Sequence, residues 1–409
     1  MIKRNMTLIV GNQFLTVLAD SIFDLAILWY VYQITESALY ASTVTAITTL
    51  TTVLIAPLVG IFVDRTKPKT AMQIGYAVMI FIGILLAISY FYRIESIMAV
   101  IYVAIIIQHI CMFLIGPAKN KLLPRIVGEE RIIKVNGYII SSSETSGLIG
   151  KSISGVIIGL IGFIGVMLFH SAVYLVASIL LFFVVSINGK GLAISKNPSA
   201  KPSLVREFIE GLKVLKTNKP IFKLVLIASA VNMSTIAGSL VVVLVNDQYG
   251  VGPVHYGILH SVGAGAGILI GLFADQIVRR FRMNLTFFLC LAACGIGFIG
   301  MGLTSKFYVG LLFFLLMISG SIVVNILFSS LIILLVEDEY RGRVFTTTAA
   351  FASMLMPPLA ILGGYLADVT DILFIYLFAG IWNILWGIVP LIDRDIRDIQ
   401  LPVKKVEGH

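Results

Sequence analysis

The feature that most constrains this chain is a series of twelve apolar stretches, each long enough to cross a bilayer as a helix. Only 12% of the 409 residues are charged and 58% are apolar, whereas soluble proteins average about 25% charged residues. Lipid offers the backbone no hydrogen-bond partners, and the stretches are too long and too uniformly apolar for barrel strands, so we expect helices. A water-soluble globular protein is excluded. The stretches cover approximately residues 7–33, 39–63, 70–91, 97–118, 138–161, 165–186, 221–245, 254–274, 285–303, 308–336, 345–367 and 372–392.

Basic residues fall almost entirely on one side of these predicted helices. The chain has 30 Lys and Arg against 21 Asp and Glu, a net charge of +9. When the loops are assigned alternately to the two sides, one side holds only Arg93 and Lys306, and Lys151 falls inside a helix. The side rich in Lys and Arg is the cytoplasmic one, so we expect both termini in the cytoplasm of a cell-membrane protein. The net charge therefore reports topology, and we predict no nucleic-acid partner.

Two pairs of matching segments indicate that the halves of the chain are related. The segment Gly-Ile-Phe-Val-Asp-Arg at 60–65 resembles Gly-Leu-Phe-Ala-Asp-Gln at 271–276, 211 residues later, and the acidic turn ending at Arg131 resembles the one ending at Arg341. Repeated six-helix units with a site at their interface are typical of transporters. We therefore predict an all-α membrane protein with twelve helices in two pseudo-symmetric bundles. The bundles cover 1–187 and 220–392, with a cytoplasmic linker carrying an amphipathic helix at 188–219 and a cytoplasmic tail at 393–409.

The sequence contains no catalytic or cofactor-binding pattern. Cys111, Cys290 and Cys294 all fall inside predicted helices without a nearby His or acid, so we predict no metal site. The loop Gly-x-x-x-x-Gly-Lys-Ser/Thr is absent from the sequence, which excludes an ATPase of that type. We therefore expect neither enzyme activity nor a cofactor.

Motifs along most of the chain resemble those of one family. Gly60, Asp64, Arg65 and Lys69 match the signature loop between the second and third helices of the major facilitator superfamily, although Pro68 stands where a glycine-containing turn is usual. Within that superfamily the chain resembles the macrolide-efflux type of drug exporter, a branch that also includes siderophore exporters. Further matching segments are 29–38, 117–124, 206–211, 252–255, 341–345, 356–357 and 364–368.

The resemblance implies a gating contact at the cytoplasmic surface. Asp64 ends a predicted helix, where its carboxylate could be held by Arg65 or by the start of a neighbouring helix, which the resemblance places at 341–345. A contact broken whenever the cytoplasmic gate opens would act as a latch. The alternative is an ordinary interfacial charge. The predicted gating residues are Gly60, Asp64, Arg65, Lys69, Gly271, Asp275 and Arg341.

Four charged residues fall well inside predicted spans. Asp20 and Asp24 lie one turn apart on the first helix, roughly 20–25 Å from its cytoplasmic end at about 1.5 Å per residue, and Lys151 on the fifth helix shares the depth of Asp20. Each charge costs at least ~2.5 kcal/mol at mid-bilayer unless it is paired or hydrated. The resemblance makes these helices neighbours, which implies that an aspartate can pair with Lys151. We predict proton coupling through Asp20, Asp24 and Glu144; for Asp20 the alternative is a structural hydrogen-bonding role.

Polar residues on several helices are predicted to line a substrate cavity. A cation at Lys151 would favour a carboxylate-bearing substrate, unless it only neutralises the aspartates. The membrane histidines His109 and His260 could relay protons or be satisfied by a backbone carbonyl, and asparagines could line the cavity or bridge helices. The predicted cavity residues are Lys151, Gln108, His109, Asn232 and Asn325.

These features predict a proton-coupled antiporter that exports a small molecule from the cytoplasm, similar to macrolide and multidrug exporters. The alternative cargo is a carboxylate-bearing metallophore or siderophore, which Lys151 would favour. A non-transporting membrane sensor or scaffold is the third hypothesis. The expected partners are the substrate, protons and the lipid bilayer, and we expect a monomer.

Overall fold

The computed structural model describes most of the chain and is helical throughout the described part. No strand occurs among the described residues. They are 2–128, 131–185, 213, 217–280, 282–336, 344, 347–348, 351 and 353–397. The side chains at 53, 55–65, 133, 271–272, 274–275, 277–280 and 333–334 lie outside the description.

Five helices make up the described chain up to residue 185. The fifth, Ile132–Phe182, is broken at Gly162, where φ is 66° and ψ is −175°, a combination that only glycine adopts readily. Its two limbs, 132–161 and 163–182, correspond to the fifth and sixth predicted spans. The helices are α1 (Ile2–Thr35), α2 (Ala38–Arg65), α3 (Pro68–Phe91), α4 (Ile97–Val127) and α5 (Ile132–Phe182).

Six longer helices follow in the described part of the rest of the chain. The seventh predicted span is not one straight helix, because after Val231 it continues as short 3₁₀ and α turns and ends in a π-helical turn, Leu244–Gln248. The helices are α6 (Lys219–Val231), α7 (Pro253–Arg280), α8 (Met283–Leu303), α9 (Phe307–Leu335), α10 (Met356–Val369) and α11 (Ile372–Ile392).

Eight helical stretches of the described chain are long and apolar enough to cross a membrane. One of them, Lys134–Phe182, has 49 residues, which at about 20 residues per crossing is enough for two crossings. The predicted all-α membrane class is therefore confirmed.

By internal contacts the chain separates into two compact units, and the first lies within 1–201 and 245–264. In this unit α1 packs along α5, α3 lies against α4 and α5, and α2 lies against α4. The start of α7 also joins it: a Cβ atom at Gly155 would lie 2.2 Å from the Pro253 carbonyl oxygen. Only a glycine at 155 allows α5 and α7 to approach this closely.

The second unit lies within 202–244 and 265–409. Here α8 packs against α9 and α11, and α10 contacts the helical turn at Thr235–Gly238. Lys223 near the start of α6 pairs with Asp393 at 2.6 Å and with Asp395 at 2.7 Å, both just after α11. These two ion pairs connect the first turns of α6 to the end of α11.

Candidate functional site

Polar side chains recur along α1, the helix that carries both predicted aspartates. Asn5, Asn12 and Asp20 are buried, and each is hydrogen-bonded to a neighbouring part of the first unit. Unpartnered polar groups are costly away from water, so these bonds fix the rotation of α1 about its own axis. That rotation places Asp20 and Asp24 in different surroundings.

Asp20 lies in a buried cluster with two residues of the second limb of α5. The hydroxyl of Tyr174 donates to both carboxylate oxygens, at 2.8 and 2.9 Å. Nε2 of the fully buried His170 lies 3.4 Å from Oδ1 of Asp20, although neither ring nitrogen completes a hydrogen bond in the described part of the chain. The cluster thus combines a carboxylate, a firm hydrogen-bond donor and a titratable imidazole, which are the groups needed to hold and pass a proton.

Aromatic rings enclose this cluster. Phe23 packs on the imidazole of His170 at 4.6 Å between ring centroids, and Tyr76 meets Tyr174 edge-on at 5.6 Å. The Tyr76 hydroxyl donates to Oδ1 of Asn12 at 2.6 Å, and Asn12 in turn donates to a backbone carbonyl of α5. A charge among these groups is poorly screened, so gain or loss of a proton there changes the local field strongly.

Asp24, one turn further along α1, is exposed rather than buried. Nε2 of Gln108 on α4 donates to its Oδ1 at 3.3 Å. Gln108 itself is fully buried, and its Oε1 has no hydrogen-bond partner among the residues that the structure describes. The structure therefore brings together one predicted coupling residue and one predicted cavity residue.

Lys151 on the first limb of α5 is exposed and lies close enough to Asp24 and His260 for their charges to interact. Within the described residues it forms no ion pair. The pairing with an aspartate that the resemblance implied is thus not formed in this structure, in which Asp20 is held by Tyr174. Asp24 and Lys151 present opposite charges near each other without direct contact.

The two membrane histidines considered from the sequence have different surroundings. Nδ1 of His109 lies 3.0 Å from the Ile105 carbonyl oxygen of its own helix, the backbone contact expected for a structural histidine. His260 on α7 packs edge-on against Tyr256 at 4.7 Å, and its buried Nε2 has no partner within the described ranges. His260 is therefore the less constrained of the two.

Glu144 is exposed on α5 and stays outside the contact between α5 and α1. The two serines that precede it make that contact: Ser142 donates to the Val10 carbonyl at 3.2 Å, and Ser143 accepts from Gln13 at 2.7 Å. The structure therefore does not bring Glu144 together with Asp20 or Asp24.

Lys69 is the predicted gating residue whose side-chain contacts the structure describes. Its ammonium donates to the carbonyls of Phe182 at 2.8 Å and Val184 at 2.9 Å, at the end of α5. A cation there satisfies the carbonyls left open at a helix C-terminus. For Gly60, Asp64, Arg65, Gly271 and Asp275 the helical backbone is described and the side-chain environment is not, and Arg341 lies outside the described residues.

Asn232 and Asn325 belong to the second unit, where both line one cavity of about 420 Å³. The amide of Asn325 donates to the Ser321 carbonyl of its own helix at 2.9 Å. The two predicted cavity asparagines are therefore brought together, in a place built from residues of the second unit alone.

The three cysteines are free thiols, with Cys111 and Cys294 buried and Cys290 half-buried. The Cys294 thiol donates to the Met317 carbonyl at 3.3 Å. Among the described residues no group of three His, Cys, Asp or Glu side chains could hold a metal ion.

The sequence arguments missed the partners of Asp20. His170 and Tyr174 lie in the sixth predicted span and were not singled out. A histidine inside an apolar span is itself a signal, since polar residues in membranes are usually functional or paired. The chain has 15 tyrosines, and nothing in the sequence indicates which of them contacts Asp20.

Comparisons with known proteins identify the family to which the chain belongs. The family model described as Major Facilitator Superfamily matches residues 9–360. Macrolide efflux protein A of Streptococcus pyogenes is 26% identical over 414 residues, covering 96% of this chain and 96% of that protein. The protein of the same name from Enterococcus faecalis is 27% identical over 316 residues, covering 74% of this chain and 93% of its own.

Solved structures share the fold. A bacterial homologue of the iron transporter ferroportin, in an inward-facing state, superposes with a TM-score of 0.71 at 18% identity, covering 95% of this chain and 99% of that one. This likeness shows the fold alone. Since the family model covers most of the sequence, the chain belongs to the major facilitator superfamily and has its twelve-helix membrane fold.

Proposed function

We propose that the chain exports a small molecule from the cytoplasm in exchange for protons. The observation that carries the proposal is the buried Asp20 carboxylate, held by Tyr174 and beside His170 inside a transporter bundle. A buried carboxylate is too costly to keep without a use or a partner, and its partner is itself titratable. The relatives named macrolide efflux protein support export as the direction.

The proton would bind the cluster of Asp20, His170 and Tyr174. With the carboxylate ionised, both of its oxygens accept from the Tyr174 hydroxyl, and His170 can balance the charge. A proton on Asp20 removes that negative charge and one of the two acceptor oxygens. The field then changes at Asp24, one turn away, which accepts from Gln108 and interacts with Lys151.

Substrate would be bound in the first unit near Asp24 and Gln108, with Lys151 and His109 as further residues of the site. In this scheme, protonation of Asp20 or Asp24 from outside weakens binding of substrate, and release of the proton to the cytoplasm restores it. The two six-helix halves would alternate access to the site, with the motif at 60–69 and its counterpart near 271–276 as the cytoplasmic gate. Both termini would be cytoplasmic, and the protein would act as a monomer without enzyme activity.

Transport into inverted membrane vesicles tests the proposal. Uptake of a macrolide should require an imposed proton gradient, collapse with a protonophore and be lost in Asp20→Asn. The matched control is Glu95→Gln, which removes an exposed carboxylate from the loop between α3 and α4. Coupled uptake that persists in Asp20→Asn would overturn the proton-coupling role.

An alternative cargo is a metallophore or siderophore that carries carboxylates, favoured by the exposed Lys151 ammonium, which forms no ion pair in the described part of the chain. Lys151→Ala should then abolish secretion of a carboxylate chelator. Secretion that survives while macrolide export falls would contradict this alternative. A non-transporting sensor or scaffold predicts that no substrate accumulates under any gradient.

A further inference from the structure

The second unit contains a cavity that the Asp20 cluster does not use. Its volume is about 420 Å³, within the range of about 300–1,000 Å³ that small-molecule sites occupy. Its walls come from α6 and the turns that follow it, from α8, α9 and α11, and from Thr348. All of the described lining residues belong to the second unit.

No charged side chain occurs among the described residues that line the cavity. Nine of the twenty described lining residues are Leu, Ile, Val, Phe or Met, with Phe287, Phe298 and Phe328 as the aromatic members. An ion entering such a site would lose its water without gaining a counter-charge, which costs several kcal/mol or more. The site therefore selects against charged ligands.

A few polar groups in the wall of the cavity keep hydrogen-bonding capacity that no contact among the described residues uses. The hydroxyl of Thr348 is buried and has no partner in the described part of the chain. Asn325 and Asn383 each use their amide nitrogen on a carbonyl of their own helix, at 2.9 and 2.8 Å, which leaves their side-chain oxygens to accept. These groups suit a ligand that donates through a hydroxyl or N–H group.

We propose that this cavity binds an uncharged, mainly apolar small molecule that bears hydroxyl or N–H donors, and that this molecule is exported cargo. The inference deepens the proposed function by naming a substrate class, and it rests on that function only for the identification of the ligand as cargo. It assigns uncharged cargo to residues of the second unit, whereas Asp24 and Lys151 belong to the first unit.

Two dyes with the same ring framework test the charge selectivity. N-phenyl-1-naphthylamine is uncharged and carries one N–H donor, whereas 8-anilinonaphthalene-1-sulfonate adds a sulfonate. With the full chain in nanodiscs, energy transfer from Trp382 and Trp386 should report saturable binding of the uncharged dye, and at least tenfold weaker binding of the sulfonate. Equal affinity for both dyes would overturn the proposal.

Variants that fill the cavity test its location. Ser321→Phe on α9 and Ala228→Leu on α6 both add volume to the lining and should weaken binding of the uncharged dye at least tenfold. Ser330→Phe, on the same helix as Ser321 but outside the lining, is the matched control. Elution as a monodisperse peak shows that a variant is folded, and unchanged binding in either folded cavity variant would overturn the proposal.

Efflux of the same dye separates cargo from a resident molecule taken up from the bilayer. Loss of both binding and energised efflux in the cavity variants supports the cargo assignment. Loss of binding with unchanged efflux overturns it. If the wild-type chain binds the dye but drives no transport under a proton gradient, the proposed export function fails while the binding site stands.

Discussion

At the level of single residues, the most informative contact joins Asp20 to a histidine whose ring nitrogens complete no hydrogen bond in the described ranges. An imidazole 3.4 Å from a buried carboxylate can share its proton, whereas an amide at the same place can only donate or accept a hydrogen bond. This difference separates a proton-handling role from a structural one.

His170→Gln is therefore expected to uncouple transport. Exchange of labelled for unlabelled substrate across the membrane, without a gradient, should keep at least half of its rate, because the fold and the substrate groups are retained. Uptake driven by a proton gradient should fall at least tenfold. Both rates are measured in the same proteoliposomes, and a parallel loss of the two would indicate that His170 only supports the fold.

The sequence indicates the charged members of the site but not their partners. Asp20, Asp24 and Lys151 stand out because each interrupts an apolar stretch at a measurable depth. The choice of Tyr174 over Lys151 as the partner of Asp20 depends on the rotation of α1 against α5, which Asn12 and its neighbours fix through packing. The spacing of apolar residues along α1 does not specify this rotation.

At the level of elements, α5 shows how one glycine divides an apolar run into two limbs. Gly162 adopts a positive φ with extended ψ, a combination that costs other residues about 1–3 kcal/mol.

Gly162→Ala should lower the stability of the purified protein by that amount. Gly116→Ala in α4 is the control, since its added methyl meets no atom within 4 Å; thermal unfolding that is equal for both variants would show that the break is not strained.

The ion pairs after α11 give stability that depends on pH. Hydrogen bonds from Lys223 hold the pKa of Asp393 below its usual 3.8. A lowered folded-state pKa means that the contribution is complete above the ordinary pKa and disappears as the pH falls through the lowered value. Asp393→Asn should therefore reduce the melting temperature slightly at pH 7 and have no effect near pH 2, with salt weakening the difference, because the pair is exposed. A difference that persists at the lower pH would contradict this account.

The sequence predicts which segments form helices, but it does not predict where a helix departs from regular α-helical geometry. Hydropathy places the seventh span at 221–245, where the structure has a helix followed by 3₁₀, α and π turns. Ser234 and Thr235 bond to carbonyls three residues back, at 2.6 and 2.7 Å. Such local bonds compete with the regular helical pattern, and a mean hydropathy does not register them.

At the level of the whole molecule, the orientation in the membrane is predicted from the positions of basic residues and not from contacts within the fold. Lys and Arg side chains resist transfer across the membrane, so we expect the loops that carry them to lie in the cytoplasm. The turn before α3 contains Lys67 and is expected inside, and the turn between α3 and α4 is expected outside. The two turns lie at opposite ends of one helix, so their labelling must be complementary.

Cysteine labelling in cells tests this orientation. Glu95→Cys and Thr70→Cys place single exposed thiols at the two ends of α3, while the native cysteines are buried or half-buried in helices. A membrane-impermeant maleimide should label Glu95→Cys in intact cells and Thr70→Cys only in inverted vesicles. The reverse pattern would place both termini outside the cell. Substrate exported from the cytoplasm would then cross the protein in the opposite direction from the one proposed.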